Sequence, residues 1–331
     1  MPFTDLPLAE LRAYRPVVRE PDDFDAFWRT TISEARQAAT TAGVGPVLTP
    51  ASTPITELVV EDLVFPGFAA EPVRAWVTRP RRPRDERLPV VVEYLGYNGG
   101  RGLPGERVQW ALAGYVHVVM DTRGQGSGWG NGGDTPDPHA SNGQVAGWMT
   151  NGILDPHEHF YRRVHTDALR LVDAVRTLAF VDPARVAVTG GSQGGGIAIA
   201  AAALAESHGD GVVAVMPDVA FLADWEHGAE VAVRDPYQEL VRYLAVHRDH
   251  AEAVWTTASY LDGVNFAKRI TAPALFSVAL MDEIVPPRTT FAAFNALASE
   301  DAVIEVYPYN GHEGGGGHHW PKQARFLAAH L

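Results

Sequence analysis

The chain has 331 residues, of which 46% are apolar and 20% charged, and it contains no cysteine. That profile fits a folded globular protein with a sizeable core. It excludes disorder, coiled coil, disulfides, thiolate metal sites and a cysteine nucleophile. Asp and Glu total 40 against 27 Lys and Arg, a formal charge of −13, which makes nucleic acid and anionic membrane surfaces poor partners and favours solubility.

In chain order, Met1 to Pro16 carries Asp5 and Glu10 but no basic cluster followed by an apolar run, so it does not read as a secretory signal. Residues 1–60 read as an N-terminal extension before the sheet, with a helical pattern over 22–38. The proline-rich, polar stretch 79–85 reads as an exposed turn. Short apolar runs at 89–95, 115–120, 185–189, 211–216, 274–280 and 303–307 read as buried strands, although such runs can also be buried helix segments. The clearest helix spans 166–178, with Ala168, Leu171, Val172, Val175 and Leu178 on one face. Strands alternating with helices predict an α/β fold with a mostly parallel central sheet flanked by helices. Residues 121–156, rich in Gly, Asn, Asp and Pro, predict a long functional loop. Residues 219–268 read as a helical insertion near the active site. The longest apolar stretch, 197–205, is far shorter than the roughly 18 residues of a membrane span, and the chain is expected to be cytoplasmic.

The strongest local signal is Gly190-Gly191-Ser192-Gln193-Gly194, which has an apolar strand before it and an Ile/Ala-rich helix after it. This is the context of a nucleophile elbow, a turn tight enough to force the serine into strained backbone and to demand glycine two residues to either side. Without chemistry, the same stretch would be only a glycine-rich strand-to-helix turn. No Lys-Ser/Thr pair follows the glycines, so a phosphate-binding loop is excluded. A serine nucleophile needs a base and an orienting carboxylate, in the order Ser, acid, His on this type of sheet. Of the eight downstream histidines, His312 stands at the tip of a glycine-rich loop after the last strand, whereas His318 and His319 read as a solvated helix start. Asp282 is the first acid after the strand at 274–280. Its neighbour Glu283 should point elsewhere, and Asp218 is a lesser candidate. The backbone N–H groups of Tyr97, in the loop after the strand at 89–95, and of Gln193 are the expected oxyanion donors. These pieces must meet on one sheet, which favours a single domain over 1–331 against the roughly two domains that length alone suggests. No metal or other cofactor is expected. His157-Glu158-His159 reads as a polar surface feature, and the glycines after His312-Glu313 preclude a zinc-binding helix.

Taken together, Arg123-Gly124-Gln125, the Ser192 motif and His312-Glu313 resemble carbohydrate esterase family seven, the acetyl xylan esterases and cephalosporin C deacetylases. The likeness extends from Phe3-Thr4-Asp5-Leu6-Pro7-Leu8 through Asp262-Gly263-Val264-Asn265-Phe266 to Tyr307-Pro308-Tyr309-Asn310-Gly311-His312-Glu313. The resemblance implies an α/β-hydrolase that removes acetyl groups from small, varied alcohols through an acetyl-serine. In it Ser192, Asp282 and His312 form the triad, Tyr97 and Gln193 supply the oxyanion hole, and Pro236 and Ile284, with Tyr97, line a small acyl pocket. It also implies a homohexamer. Arg123 and Gln125 read as loop clamps, with the guanidinium bridging backbone carbonyls. The histidine-rich tail is a departure from the family pattern. The expected substrates are small acetyl esters: xylo-oligosaccharide acetates, other sugar acetates or cephalosporin C. A general short-chain carboxylesterase, a serine peptidase of the same fold and an inactive binding module are the rival readings.

Overall fold

The computed structural model describes residues 3, 5–82, 86–139 and 145–331. Nine strands, β1 (Val47–Pro50), β2 (Leu58–Pro66), β3 (Pro72–Pro80), β4 (Leu88–Tyr94), β5 (Val116–Met120), β6 (Val181–Gly191), β7 (Ala214–Asp218), β8 (Ala274–Ala279) and β9 (Ala302–Tyr307), form one sheet in the order β1-β2-β3-β5-β4-β6-β7-β8-β9. From β5 to β9 every pairing is parallel, whereas β1, β2 and β3 join antiparallel. Parallel strands covered on both faces read as unbroken apolar runs, and the fully buried Val-His-Val-Val-Met of β5 comes close to one.

The sheet begins earlier than the sequence reading has it, because β1 and the start of β2 lie within the supposed extension. The reason is physical. β1 is a short, largely exposed edge strand, and β2 and β3 alternate in burial as one-sided antiparallel strands do. Neither presents a continuous apolar run.

Helices α1 (Leu8–Ala13) and α2 (Phe24–Ala42) precede the sheet, and α3 (Gln109–Leu112) lies between β4 and β5. The helix expected at 166–178 is α4 (Phe160–Arg176). It starts earlier because His159 caps it, its Nδ1 accepting the Tyr161 N–H at 3.1 Å. His159 is therefore buried, not a surface feature. Helix α5 (Gln193–Ser207) is buried from Gln193 to Ala205 and apolar all round, as a helix enclosed by other elements must be. Between β7 and β8 lie α6 (Trp225–Val231), α7 (Tyr237–Val246), α8 (Ala251–Ser259) and α9 (Gly263–Ala267), followed later by α10 (Pro287–Ala296) and α11 (Gly316–Ala329). Helix α11 takes in the histidine pair: His318 is exposed, but His319 is buried, with its Nδ1 3.0 Å from the Tyr307 hydroxyl. The long loop 121–156 carries no helix or strand among its described residues, and residues 140–144 lie outside them. In the stretch 79–85, Arg79 and Pro80 end β3, and residues 83–85 lie outside the described residues.

The two faces of the sheet pack separately. Val90 and Val92 of β4 join the large core under α2, α4 and α5, while Val91 between them joins Trp110 and Leu327 on the opposite face. No helix among the described residues is long and apolar enough to cross a membrane.

Candidate active site

Ser192 stands between β6 and α5 with φ 57° and ψ −121°, left-handed backbone that a non-glycine residue adopts only where its surroundings enforce it. The surroundings do so here. The Ser192 N–H donates to the Asp218 carbonyl at 2.8 Å, and its own carbonyl accepts the N–H of Phe221 at 3.0 Å. A Cβ at Gly190 would strike the backbone of Gly194, and one at Gly194 would fall on the Tyr94 carbonyl of β4. The second clash is with a neighbouring strand rather than within the turn. Gly194→Ala is therefore expected to cost about 1–3 kcal/mol by overpacking. Gly191→Ala, whose Cβ meets nothing within 4 Å, should cost far less. Denaturant unfolding of the two variants makes the comparison.

Asp282 follows β8 through Leu280 and Met281 and is buried. Its Oδ1 accepts the N–H groups of Ile284 and Val285 at 2.8 and 3.0 Å, and its Oδ2 lies 2.8 Å from His312 Nδ1. An ionised carboxylate only accepts, so Nδ1 carries the proton and Nε2 is left basic. Glu283 turns away to Arg234, 3.1 Å distant. Asp218, the lesser candidate, is occupied by Ser277 Oγ and Gln323 Nε2, both at 3.0 Å.

The loop after β4 is tied on several sides. The Asn98 N–H donates to Gln125 Oε1 at 2.8 Å, and the Tyr97 carbonyl accepts from Trp129 Nε1 at 2.8 Å. Gln125 in turn forms a reciprocal amide pair with Gln193 at 2.8 and 3.0 Å, and Gln193 Oε1 also accepts the Tyr161 hydroxyl at 2.9 Å. One buried glutamine, Gln125, thus ties the loop that carries Tyr97, through the neighbouring Asn98 N–H, to the side chain of Gln193. The Gln193 N–H itself lies in the first turn of α5, where no intrahelical acceptor exists.

Arg123 departs from expectation. It bridges carboxylates, not backbone carbonyls: Asp167 of α4 in fork geometry at 2.6 and 2.8 Å, and Glu71 at 2.6 Å. A fully buried guanidinium needs countercharge as well as acceptors, which backbone carbonyls cannot supply.

A cavity of about 460 Å³ is lined by Ser192 and His312, and also by Tyr97, Pro236 and Ile284. Asp218 is a polar wall of the same cavity, and Glu93 and Arg107 add two more that sequence reasoning missed. Glu93 accepts from Arg107 at 2.5 Å and lies 2.8 Å from His117 Nε2. Burial alone would push its carboxyl up, but the bond from His117 and the Arg107 charge outweigh that and hold it below the usual range. A glutamate inside the apolar run of β4 was the available signal.

A mostly parallel sheet flanked by helices, with these loops at its carboxyl edge, defines an α/β-hydrolase. The family model described as acetyl xylan esterase (AXE1) matches residues 1–330, so the chain belongs to the acetyl xylan esterase family, a family of carboxylic ester hydrolases. The solved acetyl xylan esterase from Paenibacillus sp. R4 is 36% identical, with a TM-score of 0.88 over 98% of this chain and 100% of its own. Acetyl xylan esterase 1 from Thermoanaerobacterium sp. JW/SL YS485 is 30% identical, with a TM-score of 0.86 over 99% and 100%. Acetyl esterase Axe7A of Xylanibacter ruminicola is 24% identical over 90% of this chain, which spans 65% of that protein's length.

Proposed function

We propose that this chain is a serine esterase that removes acetyl groups from small acetylated substrates, sugar acetates and cephalosporin C among them, through an acetyl-serine. The observation that carries this reading is the meeting of Ser192 and the Asp282-held His312 on one cavity that Tyr97, Pro236 and Ile284 also line. His312 Nε2 takes the proton of Ser192 Oγ as that oxygen attacks the acetyl carbonyl. The oxyanion is held by the N–H groups of Tyr97 and Gln193. Protonated His312 then gives its proton to the departing alcohol, and water repeats the sequence on the acetyl-serine to release acetate. The whole chain, 1–331, serves as one catalytic domain. The family likeness further supports a homohexamer, and light scattering at the monomer mass of 35.8 kDa would refute it.

Acyl selectivity tests the function. If Tyr97, Pro236 and Ile284 wall the acyl site, each longer chain is rejected by clash, at about 1–3 kcal/mol or roughly 5- to 150-fold in rate. kcat/KM is expected to fall from acetate through propionate to butyrate esters of one alcohol, and Ile284→Ala should selectively restore the longer esters. Equal activity on butyrate would indicate a general carboxylesterase. Release of p-nitroaniline from peptide anilides would indicate a peptidase.

A further inference from the structure

Tyr97 is held from outside its own loop. Its hydroxyl donates to Glu239 Oε1 of α7 at 2.5 Å and accepts the N–H groups of Trp148 and Gly147 at 3.1 and 3.3 Å. The second carboxylate oxygen, Oε2, accepts the Met149 N–H at 3.2 Å. The ring is pinned edge-on between Trp148 and Phe221, with centroids 5.1 and 6.2 Å away. Glu239 is 8% exposed and is not among the residues lining the cavity. Burial pushes its carboxyl up, although the Tyr97 hydroxyl and the Met149 N–H oppose that shift. A carboxylate with both oxygens accepting from fixed donors is a rigid tie. It joins the insertion between β7 and β8 to the loop that carries one expected oxyanion donor and one acyl wall.

We propose that Glu239 is a positioning residue for the esterase reaction: through the Tyr97 phenol it fixes both the Tyr97 N–H and the Tyr97 ring without touching substrate. This rests on the serine-esterase reading above, and its consequences are specific. The oxyanion hole serves acylation and deacylation alike, so a loosened hole slows both, whereas a residue contacting the alcohol would affect acylation only. A loosened ring also widens the acyl site.

The experiment is stopped-flow hydrolysis of p-nitrophenyl acetate and butyrate by the full chain. Glu239→Ala is expected to lower the burst rate and the steady-state rate per active site by a similar factor, roughly 10-fold, with KM little changed and the butyrate-to-acetate ratio raised. Losing an oxyanion donor outright costs about 10²–10³, so mispositioning one should cost less. Glu239→Gln keeps an acceptor for the phenol and should recover part of the rate. Tyr97→Phe should match Glu239→Ala, and the double variant should be no worse than either single one. The burst amplitude counts competent sites. If Glu239→Ala lowers only that amplitude, leaves kcat per site unchanged, or multiplies with Tyr97→Phe, the proposal is overturned. An active Ser192→Ala variant would overturn the serine-esterase reading instead, independently of what Glu239 does.

Discussion

Ser192→Ala and His312→Ala should each lower kcat on p-nitrophenyl acetate by roughly 10⁴-fold or more, and the double variant should be hardly worse, because nucleophile and base act as a unit. Asp282→Asn should be nearly as damaging. An amide oxygen can still accept from Ile284 and Val285, but its NH2 group would face His312 Nδ1, and the imidazole would then present the wrong tautomer. Glu283→Gln should be mild, since that side chain already points to Arg234 at the surface. A crippled Glu283→Gln enzyme with an active Asp282→Asn enzyme would reverse the choice of acid. Treatment with EDTA should leave the wild-type rate unchanged.

Stability is expected to fall steeply below about pH 6.5. Burial depresses two histidines to about 3: His159, whose Nδ1 caps α4 while its Nε2 bonds the Met149 carbonyl at 3.2 Å, and His165, whose ring packs against Tyr161, Trp28 and Phe266. Both are neutral when folded, whereas in the unfolded chain they take up protons near 6.5. Their contribution is therefore fully present above about 6.5 and is lost as the pH falls toward 3, at about 1.4 kcal/mol per pH unit for each histidine. His165→Phe keeps the aromatic packing and removes one titration. Its stability relative to wild type should rise by that amount per unit below pH 6.5 and stay level above it, as measured by urea unfolding between pH 5 and 8. A difference that stays constant across that range would contradict the assignment.

What could be read from the sequence follows how local the physics is. The turn at Ser192 has flanking glycines, a strand before it and an apolar helix after it, all within about twenty residues, and the structure puts φ 57° at that serine. Asp282 and His312 could be picked out as the groups leaving the last two parallel strands, and they stand 2.8 Å apart. By contrast, β1 to β3 lack the unbroken apolar signature of the parallel strands. The partners of Arg123 lie 44 and 52 residues away, and Glu239 lies 142 residues from Tyr97. No spacing rule reaches that far. His319 looked like solvated tail because four glycines precede it, yet those glycines let α11 begin early enough to bury its ring against Tyr307.

The three residues proposed to wall the acyl site come from three separate segments: Tyr97 follows β4, Pro236 precedes α7, and Ile284 follows Asp282. None of them belongs to the elbow, and at Tyr97 the expected contribution to the reaction is a backbone N–H that any residue except proline retains. On the proposed assignment, substrate range and chemical competence are encoded at different addresses in the gene. Drift or directed evolution at 236 and 284 can explore larger acyl groups one segment at a time while the reacting atoms stay in place. Position 97 is the exception, because a new side chain there also gives up the tie to Glu239, so variation at 97 should succeed only in company with variation at 239.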